Sequence, residues 1–161
     1  MTYEDEVIFQ KIVSGGQTGA DRGALDAALA LGRPCGGWCP KGRRAEDGRV
    51  PERYPLQEHE SAAYQARTEA NVLDSDGTLV FTRGKPSGGT ALTIRLAQQH
   101  KKPLLVVSLD GAAQPDAVAA HIRRWGETHR IRVLNVAGPR ESEKPGMQRA
   151  VETVMRRVLE A

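Results

Sequence analysis

The strongest constraint in this chain is a strand-like run that passes directly into a glycine turn and then a helix, and it occurs twice. Val7-Ile8-Phe9-Gln10-Lys11-Ile12-Val13 leads into Ser14-Gly15-Gly16-Gln17-Thr18-Gly19-Ala20-Asp21. Thr78-Leu79-Val80-Phe81-Thr82 leads into Arg83-Gly84-Lys85-Pro86-Ser87-Gly88-Gly89-Thr90. An unbroken apolar run such as 78–82 suits a parallel strand covered on both faces. Strand signals alternating with helix signals imply βαβ units and a mostly parallel sheet. The expected fold is α/β: a three-layer Rossmann-like domain with a five-stranded sheet and helices on both faces.

The remaining pattern fits this frame. A helix is expected from about 21 to 31, with Leu25, Ala28 and Leu29 on its buried side, and Gly32 ends it just before Pro34. Residues 35–38 read as a short second strand, and 39–60, rich in Pro, Gly and charge, as one long loop. A helix over 61–73 precedes the second glycine unit, whose helix runs to about His100. Strands are expected at 103–107 and 131–136, with a helix over 114–125 that spaces Val118, Ile122 and Trp125 at i, i+4 and i+7. Pro145 suits the first position of a terminal helix carrying Met147, Val151, Val154, Met155 and Val158. At 161 residues one core is the expectation, so residues 1–161 are read as a single ligand-binding domain.

Composition narrows the function classes. Hydrophobic residues make up 39% and charged residues 27%, as in an ordinary soluble domain. No run approaches the ~20 apolar residues that span a bilayer, so no membrane association is expected. The start, Met1-Thr2-Tyr3-Glu4-Asp5-Glu6, is acidic and unlike a signal peptide, and two cysteines are too few for a disulfide scaffold. Both point to the cytoplasm. A net charge of +3 suits an anionic ligand. Aromatics are only 4% and the basic residues are scattered, unlike a nucleic-acid surface.

A helix N-terminus offers unpaired N–H groups and partial positive charge, and glycine lets a ligand come close to them. The expected guest is an anionic phosphorylated small molecule, nucleotide-like in kind. Ser14, Gly15, Gly16, Gln17, Thr18, Gly19 and Asp21 of the first loop are candidate contacts, with Gly84, Ser87, Gly88, Gly89 and Thr90 of the second. A strand order 2-1-3-4-5 would place the two loops on neighbouring strands, flanking the switch point where open α/β sheets bind ligands. Neither loop is GxxxxGK[ST] or GxGxxG, which disfavours a triphosphatase and a dinucleotide oxidoreductase.

On the helix at 61–73, Ala63, Ala66, Ala70 and Leu73 form an apolar side. Tyr64, Arg67, Thr68 and Asn71 form a polar stripe at i, i+3, i+4 and i+7, and Arg67 and Asn71 are candidate ligand contacts. Lys41, Arg43 and Arg44 could close over an anion, with Lys41 and Arg44 taken as candidates, and Arg140 in Gly138-Pro139-Arg140-Glu141-Ser142 is another. Cys35 and Cys39 lack a second pair for zinc, and His59, His100, His121 and His129 lack metal spacing, so no metal site is expected. No nucleophile elbow or Ser–His–Asp set is present, and no catalytic residue is assigned.

The strings Ser14-Gly15-Gly16-Gln17-Thr18-Gly19-Ala20-Asp21-Arg22-Gly23 and Gly37-Trp38-Cys39-Pro40-Lys41-Gly42-Arg43 resemble the molybdenum cofactor carrier family. Arg67-Thr68-Glu69-Ala70-Asn71-Val72, Ser75-Asp76-Gly77-Thr78-Leu79, Gly88-Gly89-Thr90 and Asn135-Val136-Ala137-Gly138-Pro139-Arg140 extend the match over nearly the whole chain. The resemblance implies a Rossmann-like protein that binds molybdenum cofactor, or a related phosphorylated pterin, without turning it over, often as a homo-oligomer. Molybdate would also suit a bidentate guanidinium. More distantly the chain is similar to the LOG-type nucleotide phosphoribohydrolases, whose motif runs Pro-Gly-Gly-x-Gly-Thr-x-x-Glu. Thr93 stands where that glutamate would be, and a hydroxyl cannot replace a carboxylate in acid–base work. Asp21 or Glu69 is left as a substitute acid for N-glycosidic cleavage, and a nucleic-acid-linked role is the third reading.

Overall fold

The computed structural model describes residues 7–111 and 114–160, so the acidic stretch 1–6 lies outside the described residues. The chain runs β1 (Lys11–Val13), α1 (Ala20–Ala30), β2 (Cys35–Gly36), β3 (Trp38–Cys39), β4 (Arg44–Ala45), β5 (Gly48–Arg49) and β6 (Gln57–Glu58). It continues with α2 (Tyr64–Leu73), β7 (Gly77–Thr82), α3 (Gly88–Gln99), β8 (Leu104–Ser108), α4 (Pro115–His129), β9 (Val133–Ala137) and α5 (Met147–Glu160).

The central sheet has five parallel strands in the order β2-β1-β9-β7-β8. Helices α1, α5 and α4 pack side by side as one layer, and α2 with α3 forms the other. The Rossmann-like α/β expectation holds. The strand order does not follow 2-1-3-4-5, because the last strand inserts between the two that carry the glycine loops. Burial explains the choice: Leu134, Asn135 and Val136 of β9 are all buried, whereas Val106 of β8 is 43% exposed, as an edge strand tolerates. Asn135 fixes the centre by donating from Nδ2 to Thr78 Oγ1 at 3.3 Å.

The main core joins Ile12, Leu79, Phe81, Ile122, Leu134 and the Met147–Met155 face of α5. Several boundaries shift for local reasons. β1 begins only at Lys11, since Phe9 takes a left-handed backbone (φ 52) that turns its ring under Gly126. α5 begins at Met147, with Pro145 in the preceding turn. Leu29 is 40% exposed instead of facing the core.

Residues 39–60 depart most from expectation. They are an ordered subdomain, not an open loop. β3 pairs with β6 and β4 with β5, around a small core of Leu25, Cys39, Val50, Tyr54 and Leu56. Arg43 is its hub: the buried guanidinium donates to the carbonyls of Val50 (3.1 Å), Leu56 (3.2 Å), Pro51 (2.8 Å) and Tyr54 (2.9 Å). Tyr54 donates to Asp26 at 2.6 Å, and burial first, then that hydrogen bond, pushes its hydroxyl up to about 12. Arg22 clamps the segment to α1 through a two-pronged pair with Asp47 at 2.5 and 2.8 Å.

Candidate functional site

The loops after β1, β9 and β7 all leave the carboxyl edge of the sheet. α5 covers one face and α3 the other, so the switch point falls between β9 and β7. A cleft of about 350 Å³ opens there, within the roughly 300–1,000 Å³ range of small-molecule sites. Its walls are Gln17 and Asp21 from α1's entry, Tyr64, Gln65, Arg67 and Thr68 from α2, and Gly88 to Thr90 with Leu92, Thr93 and Arg95 from α3. Ala137, Gly138, Arg140 and Glu143 close it on the β9 side.

The second glycine loop is open. No amide of Gly88, Gly89 or Thr90 has a partner among the described residues, and a Cβ on either glycine would meet nothing within 4 Å. This is the N-terminus of a twelve-residue helix, with its amides and partial positive charge directed at the cleft.

The first glycine loop differs from expectation. Four of its amides are spent within the protein: Gly16 N–H on Ser14 Oγ (3.4 Å), Gln17 N–H on Asp21 Oδ2 (3.2 Å), Thr18 N–H on Gln17 Oε1 (3.1 Å) and Ala20 N–H on Pro139 O (3.1 Å). Its glycines serve close approach, with Gly16 under Leu56 and Gly19 against the carbonyl of Pro139. Ser14 is fully buried and donates to Asp21 O. Thr18 donates to Glu46, whose second oxygen takes the Ser142 hydroxyl, tying the subdomain to the β9 loop. Of this loop only Gln17 and Asp21 reach the cleft.

Five further expectations move. Asn71 is buried but faces Trp38, accepting its N–H at 2.8 Å and donating to its carbonyl at 3.0 Å, so it anchors β3 and does not line the cleft. Of the polar stripe of α2, Thr68 and Asn71 are buried, Arg67 is partly buried and Tyr64 is exposed, while Ala63 and Leu73 of the expected apolar side are exposed. Lys41 and Arg44 are exposed on the subdomain, away from the cleft, because Arg43 between them turns inward. Gly84 and Ser87 border a separate small pocket beside Thr90. Glu69 pairs with His100 at 3.1 Å and does not line the cleft.

Arg67 dominates the cleft. Its side chain is 13% exposed, and its Nε is a buried donor without a partner. The nearest carboxylate, Asp21, lies 4.0 Å from Nη1, too far for a hydrogen bond. Tyr64 has two cations near its ring, whose centroid is 5.5 Å from the guanidinium carbons of both Arg67 and Arg140. Three more donors, on residues over nine-tenths buried, open onto the cleft without a partner among the described residues: the hydroxyls of Thr68 and Thr90 and Nε2 of Gln17. Thr93 differs, since its hydroxyl is committed to Gly89 O at 2.9 Å. Tyr64, Gln65, Thr68, Arg95 and Glu143 are additional lining residues, and the polar stripe of α2 was the only sequence signal for any of them.

Gly15 holds Arg67 in place. A Cβ there would stand 1.8 Å from Arg67 Nη1. Gly15→Ala should displace the guanidinium and weaken ligand binding about tenfold while leaving the fold intact, because a flexible side-chain end can yield. Circular dichroism with a binding titration checks this; unchanged affinity would contradict it.

Asp21 is pushed up to about 6, by burial first, against the opposing pull of Arg67, the Gln17 N–H and Arg22. The folded protein therefore keeps a proton that an unfolded aspartate loses near 3.8. The associated stability is full below that lower value and is lost as pH rises through about 6, with an amplitude on the order of 3 kcal/mol. Asp21→Asn removes this titration. Denaturant unfolding from pH 4 to 7 should show a flatter stability profile for the variant, and parallel profiles would contradict the assignment.

Cys35 and Cys39 are free thiols, both pushed up by burial. Among the described residues no three His, Cys, Asp or Glu side chains cluster as a metal site, and no helix is long and apolar enough to cross a membrane.

Residues 12–159 match the family model described as the circularly permuted YpsA SLOG family. The chain is also similar to the crystal structure of a proposed molybdenum carrier protein from Syntrophus aciditrophicus. The two share 50% identity over 94% of this chain and 95% of the other, with a TM-score of 0.90. A search of curated proteins returns no match.

Proposed function

The chain belongs to the circularly permuted YpsA SLOG family, and from that premise we propose that it is a carrier that holds an anionic, phosphorylated small molecule in the α2–α3 cleft. Molybdenum cofactor, a related phosphorylated pterin, or molybdate itself is the cargo that the Syntrophus relative suggests. One observation carries the reading. Arg67 Nε, the hydroxyls of Thr68 and Thr90, and Gln17 Nε2 all border one cleft with no partner among the described residues. A buried donor left unpaired costs about 1–3 kcal/mol, so Arg67 Nε, with three more unpartnered donors opening onto the same space, is explained by a ligand rich in acceptor oxygens. The free amides of Gly88–Thr90 suit its phosphate, and Tyr64 offers a flat face for a ring. Equilibrium binding of molybdate, molybdenum cofactor and a nucleotide panel tests it. Micromolar or tighter binding to one of them is expected, and a folded sample that binds none would overturn it.

Asp21 favours a second reading, cleavage of the N-glycosidic bond of a nucleotide monophosphate. It is a buried acid in the cleft that titrates near 6, as a proton donor at neutral pH requires. Incubation with purine and pyrimidine monophosphates should then release free base in the parent protein and not in Asp21→Asn. No product at high protein concentration retires this reading.

A further inference from the structure

We propose that the small pocket beside Thr90, bordered by Thr82, Arg83, Lys85 and Lys144, is a second oxyanion subsite that receives another anionic group of the same ligand. This rests on the carrier reading of the cleft. The pocket and the cleft share Thr90 and Glu143 in their walls, so they adjoin at the α3 N-terminus. At about 20 Å³ the pocket admits one small group and excludes a ring.

Two kinds of observation converge there. Thr82 is 5% exposed and Thr90 7% exposed, and neither hydroxyl has a partner among the described residues, though both line the pocket. Three cations surround them. Lys85 and Lys144 are unpaired among the described residues, and Lys144 Nζ stands 3.6 Å from where a Gly84 Cβ would be. Arg83 spends only one nitrogen, on Pro145 O at 3.2 Å.

Two carboxylates lie close, and both are engaged. Glu143 sits 3.9 Å from Arg140 Nε. Asp110 accepts the Gly84 N–H and the Ser108 hydroxyl. Those two hydrogen bonds, and then Arg83 and Lys144, hold Asp110 below the usual carboxylate range, so the cations do reach this edge. The ligand class is therefore one with two oxyanion groups, such as a phosphate together with an oxomolybdenum group or a second phosphate, and not a lone monophosphate.

Amide-resolved NMR titration with inorganic phosphate tests the subsite. In the parent protein, the amides of Thr82 to Lys85 should shift with one affinity and those of Gly89 and Thr90 with another. The double variant Lys85→Ala/Lys144→Ala should weaken the first response at least about tenfold and spare the second. Arg67→Ala should do the opposite. A response at Thr82 to Lys85 without one in the cleft supports the subsite and counts against the carrier reading. Silence at Thr82 to Lys85 in the folded parent protein, or an unchanged affinity in the double variant, overturns the subsite.

Discussion

Arg67→Ala is expected to weaken ligand binding about 10- to 100-fold with little loss of stability. A hydrogen bond to a charged group contributes about 1.5–3 kcal/mol, and every 1.4 kcal/mol is tenfold in affinity. Arg67 has such bonds to give, since its Nε is buried and unpaired and Asp21 is 4.0 Å from its Nη1. The fold should survive because Asp21, already held near 6, can keep its proton once its nearest cation is gone. Arg67→Lys should recover only part of the loss, for an ammonium keeps the charge but not the planar fork. Titration of a bound ligand against parent and variants checks this, and equal affinities would remove Arg67 from the site.

Arg43→Ala should be the most destabilising single substitution discussed, by about 3 kcal/mol or more, roughly 6–12 °C in Tm. Four carbonyls converge on that guanidinium inside residues 39–60, and alanine leaves them buried and unpaired. The effect should extend to the cleft, since Glu46 of this subdomain receives Thr18 and Ser142 beside it. Burial alone would push the Glu46 carboxyl up, but the hydrogen bonds from Ser142 and Thr18 outweigh it and hold it down. Thermal unfolding followed by circular dichroism measures this. A loss under about 1 kcal/mol would mean that the subdomain does not depend on Arg43.

Periodicity made the layers legible. The apolar runs at 78–82 and 131–136 announced buried parallel strands, and the Met147–Val158 stripe announced the helix that packs on α1. Strand order was not legible, because β8 and β9 are equally apolar in sequence and only tertiary packing makes Val106 an edge residue. The segment 39–60 looked like a loop since its strands are two residues long and its small core of Cys39, Val50, Tyr54 and Leu56 is irregularly spaced around the buried Arg43, which leaves no hydrophobic period to detect.

The cleft was half legible. Free glycines at a helix start marked Gly88–Thr90, and the uncharged polar stripe marked Arg67. The same glycine signal misled at 14–19, where Ser14, Gln17 and Asp21 supply internal acceptors that consume the amides. Asn71 misled likewise: an inward amide on a helix can bind a ligand or pin a neighbouring strand, and spacing alone does not separate these.

Native mass spectrometry of the protein as purified from its own cells shows whether the cleft carries a ligand. A phosphorylated small molecule should be bound to the parent chain, absent from Arg67→Ala and retained by Arg44→Ala, whose side chain does not line the cleft. A ligand retained equally by Arg67→Ala, or a folded parent chain that carries none and takes up none of the tested panel, would contradict the carrier reading.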